Sequence, residues 1–200
     1  KAQRKAALRD ANYVVNAIQV GGYEPSTVID FEIPKKYGLR QTIADTLGIG
    51  GIFRTLRTAP VVVAFAKEME QVCPDALFLN YTNPMCTVTG AIEHGSNIKV
   101  VGLCHSVQSC ATGLLRRVGM LDDVDDLQWK IAGINHQAWL LEITDGGKDL
   151  YPEIKRRGAK MNREARKKGA EKHTDMIRFE MMRHFGHYIT ESSEHSAEYM

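Results

Sequence analysis

Between residues 76 and 118 the chain changes its hydrophobic period every few residues, and no other feature constrains the fold as much. An apolar run at 76–80 gives way to a helical pattern at 86–94. A β-branched run at 98–103 and a second helical pattern at 106–118 follow. Strands that alternate with helices need crossover connections, so they lie parallel in one sheet with right-handed crossovers. Upstream, residues 2–9 read as helix and 13–20 as a strand ending in Gly21 and Gly22, part of the same unit. After Gly119 the order changes. Residues 127–134 and 138–143 read as antiparallel strands, with turn chemistry at Asp145, Gly146 and Gly147, and 151–168 and 173–184 read as helices. The expected class is α/β, a parallel sheet through about residue 120 followed by an α+β segment.

Open α/β sheets place their chemistry where strands end, and two of these ends carry metal-binding side chains. The run at 99–103 stops at Cys104 and His105, and the run at 131–134 stops at Asn135 and His136. A thiolate and an imidazole brought together suit a borderline divalent cation such as Mn, Fe, Co, Ni or Zn. Two protein ligands leave positions for substrate oxygens and water, so a metal there would be catalytic rather than structural. The competing reading makes Cys104 a buried cysteine and His136 a hydrogen-bonded core histidine. At the end of 76–80, Asn83 before Pro84 either presents its amide to a ligand hydroxyl or simply makes a turn. His184, His187 and His195 fit no ligand spacing. The glycines at 48, 50 and 51 miss the dinucleotide fingerprint, because Phe53 stands where the third glycine belongs and no strand precedes them. Pro60 is expected to open a helix over 61–72, and residues 23–40 are expected to be loop with a short helix near 26–31.

Composition narrows the function classes. With 200 residues and 44% apolar content the chain can bury a core. Its net charge of +2 gives no reason to expect a nucleic-acid or membrane partner. The basic cluster at 155–172 is interleaved with Glu164 and Glu171 at helical spacing, the pattern of a solvated helix face. Cys73, Cys86, Cys104 and Cys110 form no CxxC pair, which fits a reducing cytoplasm. No run approaches the ~18 apolar residues of a membrane span, and no signal peptide is recognisable. The chain opens on Lys1 without Met and ends at Met200 without a terminating signal, as a piece of a longer protein would.

Several of these residues recur together in a known pattern. Asn83 and Pro84, then Gly102, Cys104, His105 and Gln108, then Gly133, Asn135 and His136 stand in this order, with Lys36, Arg40, Arg57 and Pro60 before them. Asp149, Tyr151 and Pro152, and Glu191, Glu194, His195, Glu198 and Tyr199, complete the set. Over essentially its whole length the chain resembles the family-4 glycoside hydrolases, and most of all their α-galactosidase (melibiase-type) branch. These are NAD-dependent glycosidases that do not use the usual carboxylate pair. The resemblance implies a Rossmann-like NAD domain, akin to those of lactate and malate dehydrogenases, over residues 1–120, here without its N-terminal Gly-rich half. A truncated α+β substrate domain would begin at 121 and run to 200.

The resemblance further implies NAD and Mn2+, or another divalent transition metal, as cofactors, with Cys104 and His136 as metal ligands. Asn83 and Asn135 would contact a small-molecule glycoside. The reaction would remove hydride from C3 of the sugar, take the C2 proton, expel the leaving group from C1, add water and return the hydride. The implied base is Tyr199. His105 stands where the α-glucosidase branch has its acidic general acid; a neighbouring metal would disfavour protonated His105 unless Glu194 or Glu198 restored the balance. A cytoplasmic homo-oligomer, dimer or tetramer, is expected, with this stretch alone inactive and binding NAD poorly. Other substrates of the same family, α-glucosides or α-galacturonides, stay open. So do a metal-independent 2-hydroxy-acid dehydrogenase and a non-catalytic fragment.

Overall fold

The computed structural model describes residues 3–43 and 46–198. Its chain divides into two compact units, Lys1–Cys104 and His105–Met200.

The first unit is built on a three-stranded parallel sheet of β1 (Tyr13–Asn16), β2 (Leu77–Asn80) and β3 (Lys99–Gly102), in that spatial order. Helices α1 (Arg4–Leu8), α2 (Val28–Lys36), α3 (Gly48–Val72) and α4 (Met85–Gly95) surround it, and a π-helical turn at Gly22–Thr27 leads into α2. Val14, Phe78 and Val100 occupy one face of the sheet and pack on Val62, Ala66 and Met69 of α3 and Val88 and Ile92 of α4. The parallel βαβ order expected from 76–103 is present. Parallel strands are ordinarily covered on both faces, yet Tyr13, Val15 and Val101 on the opposite face are exposed among the described residues.

Three expectations change here. The strand expected over 13–20 is only four residues long, and residues 28–36, expected as mostly loop, are helical. Pro60 does not open a helix; it lies inside α3, which runs for 25 residues from Gly48. A proline in mid-helix removes a donor and crowds the carbonyl four residues back, so the first turns need outside support. Gln41 supplies it by accepting the Gly50 amide at 2.8 Å. Arg54 donates to the Asn83 carbonyl and Arg57 forms a two-pronged pair with buried Asp30. By length and composition α3 would also qualify as a membrane span, contrary to the expectation from the sequence. Its apolar stripe is instead spent on the core of this unit and its arginines are tied to folded groups, as in a core helix of a globular domain.

The second unit opens with α5 (Ser106–Arg117) and a 3-10 turn at Leu121–Asp123. Then come β4 (Leu127–Ile134), β5 (Gln137–Asp145), β6 (Lys148–Asp149), α6 (Tyr151–Ala165), α7 (Met176–Phe185), β7 (Tyr188–Ile189) and α8 (Ser193–Ala197). β5 pairs antiparallel with β4, β6 and β7. Strict alternation in the sequence groups α5 with the parallel sheet, but its buried face of Cys110, Ala111, Leu114, Leu115 and Val118 packs with Leu140, Ile143, Ile154 and Tyr188. The compact units therefore part between Cys104 and His105. On α6 the buried positions Tyr151, Ile154, Gly158, Asn162 and Ala165 recur at helical spacing while arginines and lysines face solvent, the amphipathic pattern expected of the basic cluster.

Candidate functional site

Backbone geometry at two glycines sets up the site. A Cβ on Gly102 would lie 2.0 Å from the Met85 sulfur and 2.7 Å from the Thr89 hydroxyl, so the side chains of α4 occupy the space a larger residue at the end of β3 would need. The Leu103 amide then donates to the Asn80 carbonyl at 2.9 Å, and the chain reaches Cys104. In the second unit Gly133 has φ +142°, and a Cβ there would lie 2.5 Å from Ala138 Cα and 2.7 Å from the Gln137 carbonyl oxygen. Glycine therefore lets the end of the β4–β5 hairpin close. Its two-residue tip is Asn135 and His136, the latter with φ +60° and only 8% exposed.

β7 brings a third residue to this tip. Tyr188 and Ile189 pair with Leu140 and Trp139, and the Thr190 amide donates to the Ala138 carbonyl at 2.9 Å, so Glu191 emerges beside the hairpin end. The short strand is held from below. Arg178 donates to the carbonyls of Ile189 and Thr190 and lies over the Tyr188 ring, while Asp175 accepts from Arg178 and from the Tyr188 hydroxyl at 2.7 Å and pairs with Arg117.

Cys104 is one peptide bond from the first residue of this second unit. Within the second unit a ring nitrogen of His136 and a carboxylate oxygen of Glu191 lie within 4.8 Å of each other. Donor atoms ~2.0–2.3 Å from one ion lie at most about 4.5 Å apart, so a shift of a few tenths of an ångström would let both reach a common cation. Glu191 also accepts a hydrogen bond from the Ser106 hydroxyl at the start of α5. Behind it, His195 Nε2 stands 3.8 Å from the carboxylate, and its ring meets His136 edge-on at 4.8 Å between centroids. Ser192 caps α8 and its hydroxyl contacts His195 Nδ1 at 2.9 Å.

Of the metal-ligand candidates, Cys104 ends the first unit and His136 stands at the hairpin tip of the second. The carboxylate beside His136, that of Glu191, was not expected from the sequence. In the sequence Glu191 is one of several acids in its segment, and nothing local distinguishes it; pairing of β7 with β5 selects it. His105 sits at the amino-terminal cap of α5, exposed, with its carbonyl accepting from Ser109. Asn135 adjoins His136, and its buried side-chain oxygen has no partner among the described residues. Asn83 lies in the first unit before Pro84, its carbonyl accepting from Arg54. Tyr199 lies outside the described residues. Of the three C-terminal histidines only His195 stands at this site. His184 contacts Glu180, and His187 packs on Tyr151.

One turn beyond Ser106, burial pushes the Cys110 thiol from its ordinary 9.0 up to about 11. That cysteine is a neutral core residue, whereas Cys104 is only partly buried. At the strand ends of the first unit Asn16, Asn80 and Thr82 are buried in one hydrogen-bonded cluster that also holds the Ile18 carbonyl. This fixes the backbone on either side of the Gly21–Gly22 and Asn83–Pro84 turns.

These features define a mixed α/β protein of Rossmann type, with a parallel sheet ending in a thiol in one unit and an antiparallel sheet that sets an imidazole beside a carboxylate in the other. The family 4 glycosyl hydrolase model matches residues 1–120, and the family 4 glycosyl hydrolase C-terminal domain matches residues 131–200. The chain belongs to the family 4 glycosyl hydrolases. It is 64% identical over 196 residues to an alpha-galactosidase of Bacillus subtilis, covering 98% of this chain and 43% of that protein. A Bacillus subtilis structure described as a glucosidase superposes with TM-score 0.80 at 26% identity, covering 98% of this chain and 48% of the other. A 6-phospho-beta glucosidase of Thermotoga maritima, solved with manganese, NAD+ and glucose-6-phosphate, shares the fold at TM-score 0.74 and 21% identity, over 100% of this chain and 45% of the other. The chain therefore spans less than half the length of these relatives.

Proposed function

We propose that the full-length protein hydrolyses α-galactosides by the redox-assisted elimination of its family, and that Cys104 and His136 hold its divalent metal. The Cys104 thiol at the end of β3 and the His136 imidazole at the end of β4 support this reading, since a soft and a borderline donor together suit Mn2+ or a neighbouring transition metal. The 64% identity to an alpha-galactosidase favours galactosides over the glucosides and galacturonides taken by other members. The C-terminal strand edge of the first unit is where Rossmann-type sheets receive dinucleotides. Residues 1–120 are read as part of the NAD domain and 121–200 as the start of the substrate domain, with further chain covering the exposed face at Tyr13 and Val15. The fingerprint glycines that would hold the pyrophosphate do not occur in this stretch.

When bound, NAD supplies the hydride acceptor and donor for C3, and the metal supplies Lewis-acid stabilisation of the neighbouring oxygens. The protein's own residues do the rest. Once C3 is a carbonyl the C2 proton becomes acidic, and Tyr199 is assigned its removal. A phenol with an ordinary pKa near ~10 needs cationic surroundings to serve as a base at neutral pH. His105, exposed beside Cys104, is assigned proton delivery to the leaving oxygen at C1. The Asn135 amide oxygen, buried and without a partner among the described residues, accepts a sugar hydroxyl, and Asn83 contributes its amide to the same substrate. A thiol ligand needs a reducing compartment, so the enzyme is placed in the cytoplasm. A dimer or tetramer would bury the exposed apolar residues Ile29, Ile33 and Tyr37.

The test uses the full-length enzyme and a galactoside deuterated at C2. Activity should need NAD and Mn2+ without net NAD consumption, C2 should show slowing or solvent exchange, and Cys104→Ser and His136→Ala should each abolish turnover. Tyr199→Phe should lower turnover roughly 10²-fold or more, as expected for loss of a general base. Full activity after removal of NAD, or in either ligand variant without metal, would refute the reading.

A further inference from the structure

We propose that the groove between α6 and α7 is a binding site for an organic phosphate of nucleotide size. It lies wholly within the second unit and shares no residue with the groups assigned to the sugar chemistry.

Helical spacing builds the groove. Lys155, Ala159, Asn162, Arg163 and Arg166 fall at i, i+4, i+7, i+8 and i+11 along α6 and so share one face. Phe179, Met182 and Arg183 share a face of α7, which closes at Gly186. Between the two faces lies an open cavity of about 640 Å3. Small-molecule sites occupy ~300–1,000 Å3, and an inorganic anion would leave most of this space unfilled.

Charge selects a phosphate. Five cationic side chains line the cavity with a single carboxylate, Glu180. Glu180 already accepts from Arg183 at 2.6 and 2.9 Å and from Arg166 at 2.7 Å, and these bonds hold its pKa down at about 2. Arg156 is taken up by Glu153. Arg163 and Lys155 have no carboxylate partner among the described residues, and the Lys155 ammonium lies 5.0 Å from the centre of the Tyr151 ring. The rim therefore carries more positive charge than its own acids balance. A ligand carboxylate would add one negative charge, whereas a phosphate monoester adds ~1.5–2 at pH 7 with three acceptor oxygens. Guanidinium forks match phosphate bidentately.

The floor selects an organic body. Ala159, Phe179 and Met182 contribute carbon to the lining, and the stems of the arginines and of Lys155 extend it. Asn162, in the same lining, is only 5% exposed. Its side-chain nitrogen donates to the Met176 carbonyl at 2.9 Å, and its oxygen is buried without a partner among the described residues. A buried acceptor left unpaired is costly, and an N–H or O–H of a ligand seated on this floor would satisfy it. An apolar-faced body with a donor at its edge, joined to a phosphate, is the chemistry of a nucleotide.

The experiment is a calorimetric titration of the full-length protein with ADP, with NAD held at saturation so that the dinucleotide site is filled. Adenosine and pyrophosphate are titrated in parallel. ADP should bind and raise Tm, and each fragment should bind at least ~10-fold more weakly, since each forfeits one set of contacts. Arg163→Glu removes an unpaired guanidinium and Ala159→Trp fills the groove, both at exposed positions of α6. Each should weaken ADP by roughly 10-fold or more, the loss expected for one charge-assisted hydrogen bond. Arg163→Lys should recover part of that loss. No ADP binding at millimolar concentration would overturn the proposal. So would wild-type affinity in Arg163→Glu, which places ADP elsewhere, and pyrophosphate binding as tightly as ADP, which reduces the groove to an anion patch. If Ala159→Trp does not fold, Arg163→Glu decides. Galactoside hydrolysis without ADP should be unchanged in Arg163→Glu, so this site and the galactosidase reading succeed or fail separately.

Discussion

Replacing Asp175 should loosen the second unit at the strand that delivers Glu191. The Asp175 side chain is 3% exposed and is shared by Arg117, Arg178 and the Tyr188 hydroxyl. In Asp175→Ala the fully buried tyrosine loses its acceptor, and an orphaned buried donor costs about 1–3 kcal/mol. Breaking a buried ion pair from one side costs about 3–5 kcal/mol when the remaining charge is uncompensated. Arg178 keeps its bonds to the carbonyls of Ile189 and Thr190. Arg117, 39% exposed, can turn to water, where such a pair contributes at most about 1 kcal/mol. These retained contacts bring the expected loss down to roughly 3 kcal/mol, which at ~2–4 °C per kcal/mol lowers Tm by about 6–12 °C. Asp175→Asn keeps an oxygen for Tyr188 and should lose roughly half as much. Urea and thermal unfolding of the full-length protein measure both, and a cycle with Tyr188→Phe should show about 1 kcal/mol of coupling. Stability within ~0.5 kcal/mol of wild type in Asp175→Ala would refute the assignment of this cluster as the lock under β7.

Further outcomes follow from the same geometry. Gly133→Ala, with backbone atoms 2.5 and 2.7 Å from the added carbon, should distort the hairpin tip and weaken metal binding, which titration would detect. Gly113→Ala, in the interior of α5 with open space around it, should instead raise stability by about 0.5–1 kcal/mol in the same unfolding assays. The folded-state pKa of Cys110 is raised from 9.0 to about 11, so the stability tied to its neutral form is intact below pH 9 and is lost as pH rises toward 11. Burial also raises Tyr151 and Tyr188 above their ordinary 10.0 and should steepen that loss beyond pH 10. On the acid side, burial lowers His173 below 6.5, so its contribution is present above that pH and disappears below it. Melting curves across pH test both limbs. Thiol reagents at neutral pH should modify exposed Cys86 and leave Cys110 untouched in the folded protein.

Local pattern was enough for the alternation of strand and helix from 76 to 118, because buried parallel strands and amphipathic helices have different hydrophobic periods over short windows. It was also enough to mark Cys104 and His136, since both stand where an apolar run stops, and the β4 strand was legible to its end residues. Tertiary contacts decided the rest. α3 passes through Pro60 because Gln41, Asp30 and Asn83 hold its first half, partners that no window around the glycines contains. α5 continues the alternating pattern of the first unit but packs in the second, because apolar spacing says which face is buried and not against what. Glu191 was one acid among several in its segment until a two-residue strand paired with β5 and set its carboxylate beside the His136 ring. A pairing so short has no periodicity of its own, and two side chains from distant stretches meet only once the chain has folded.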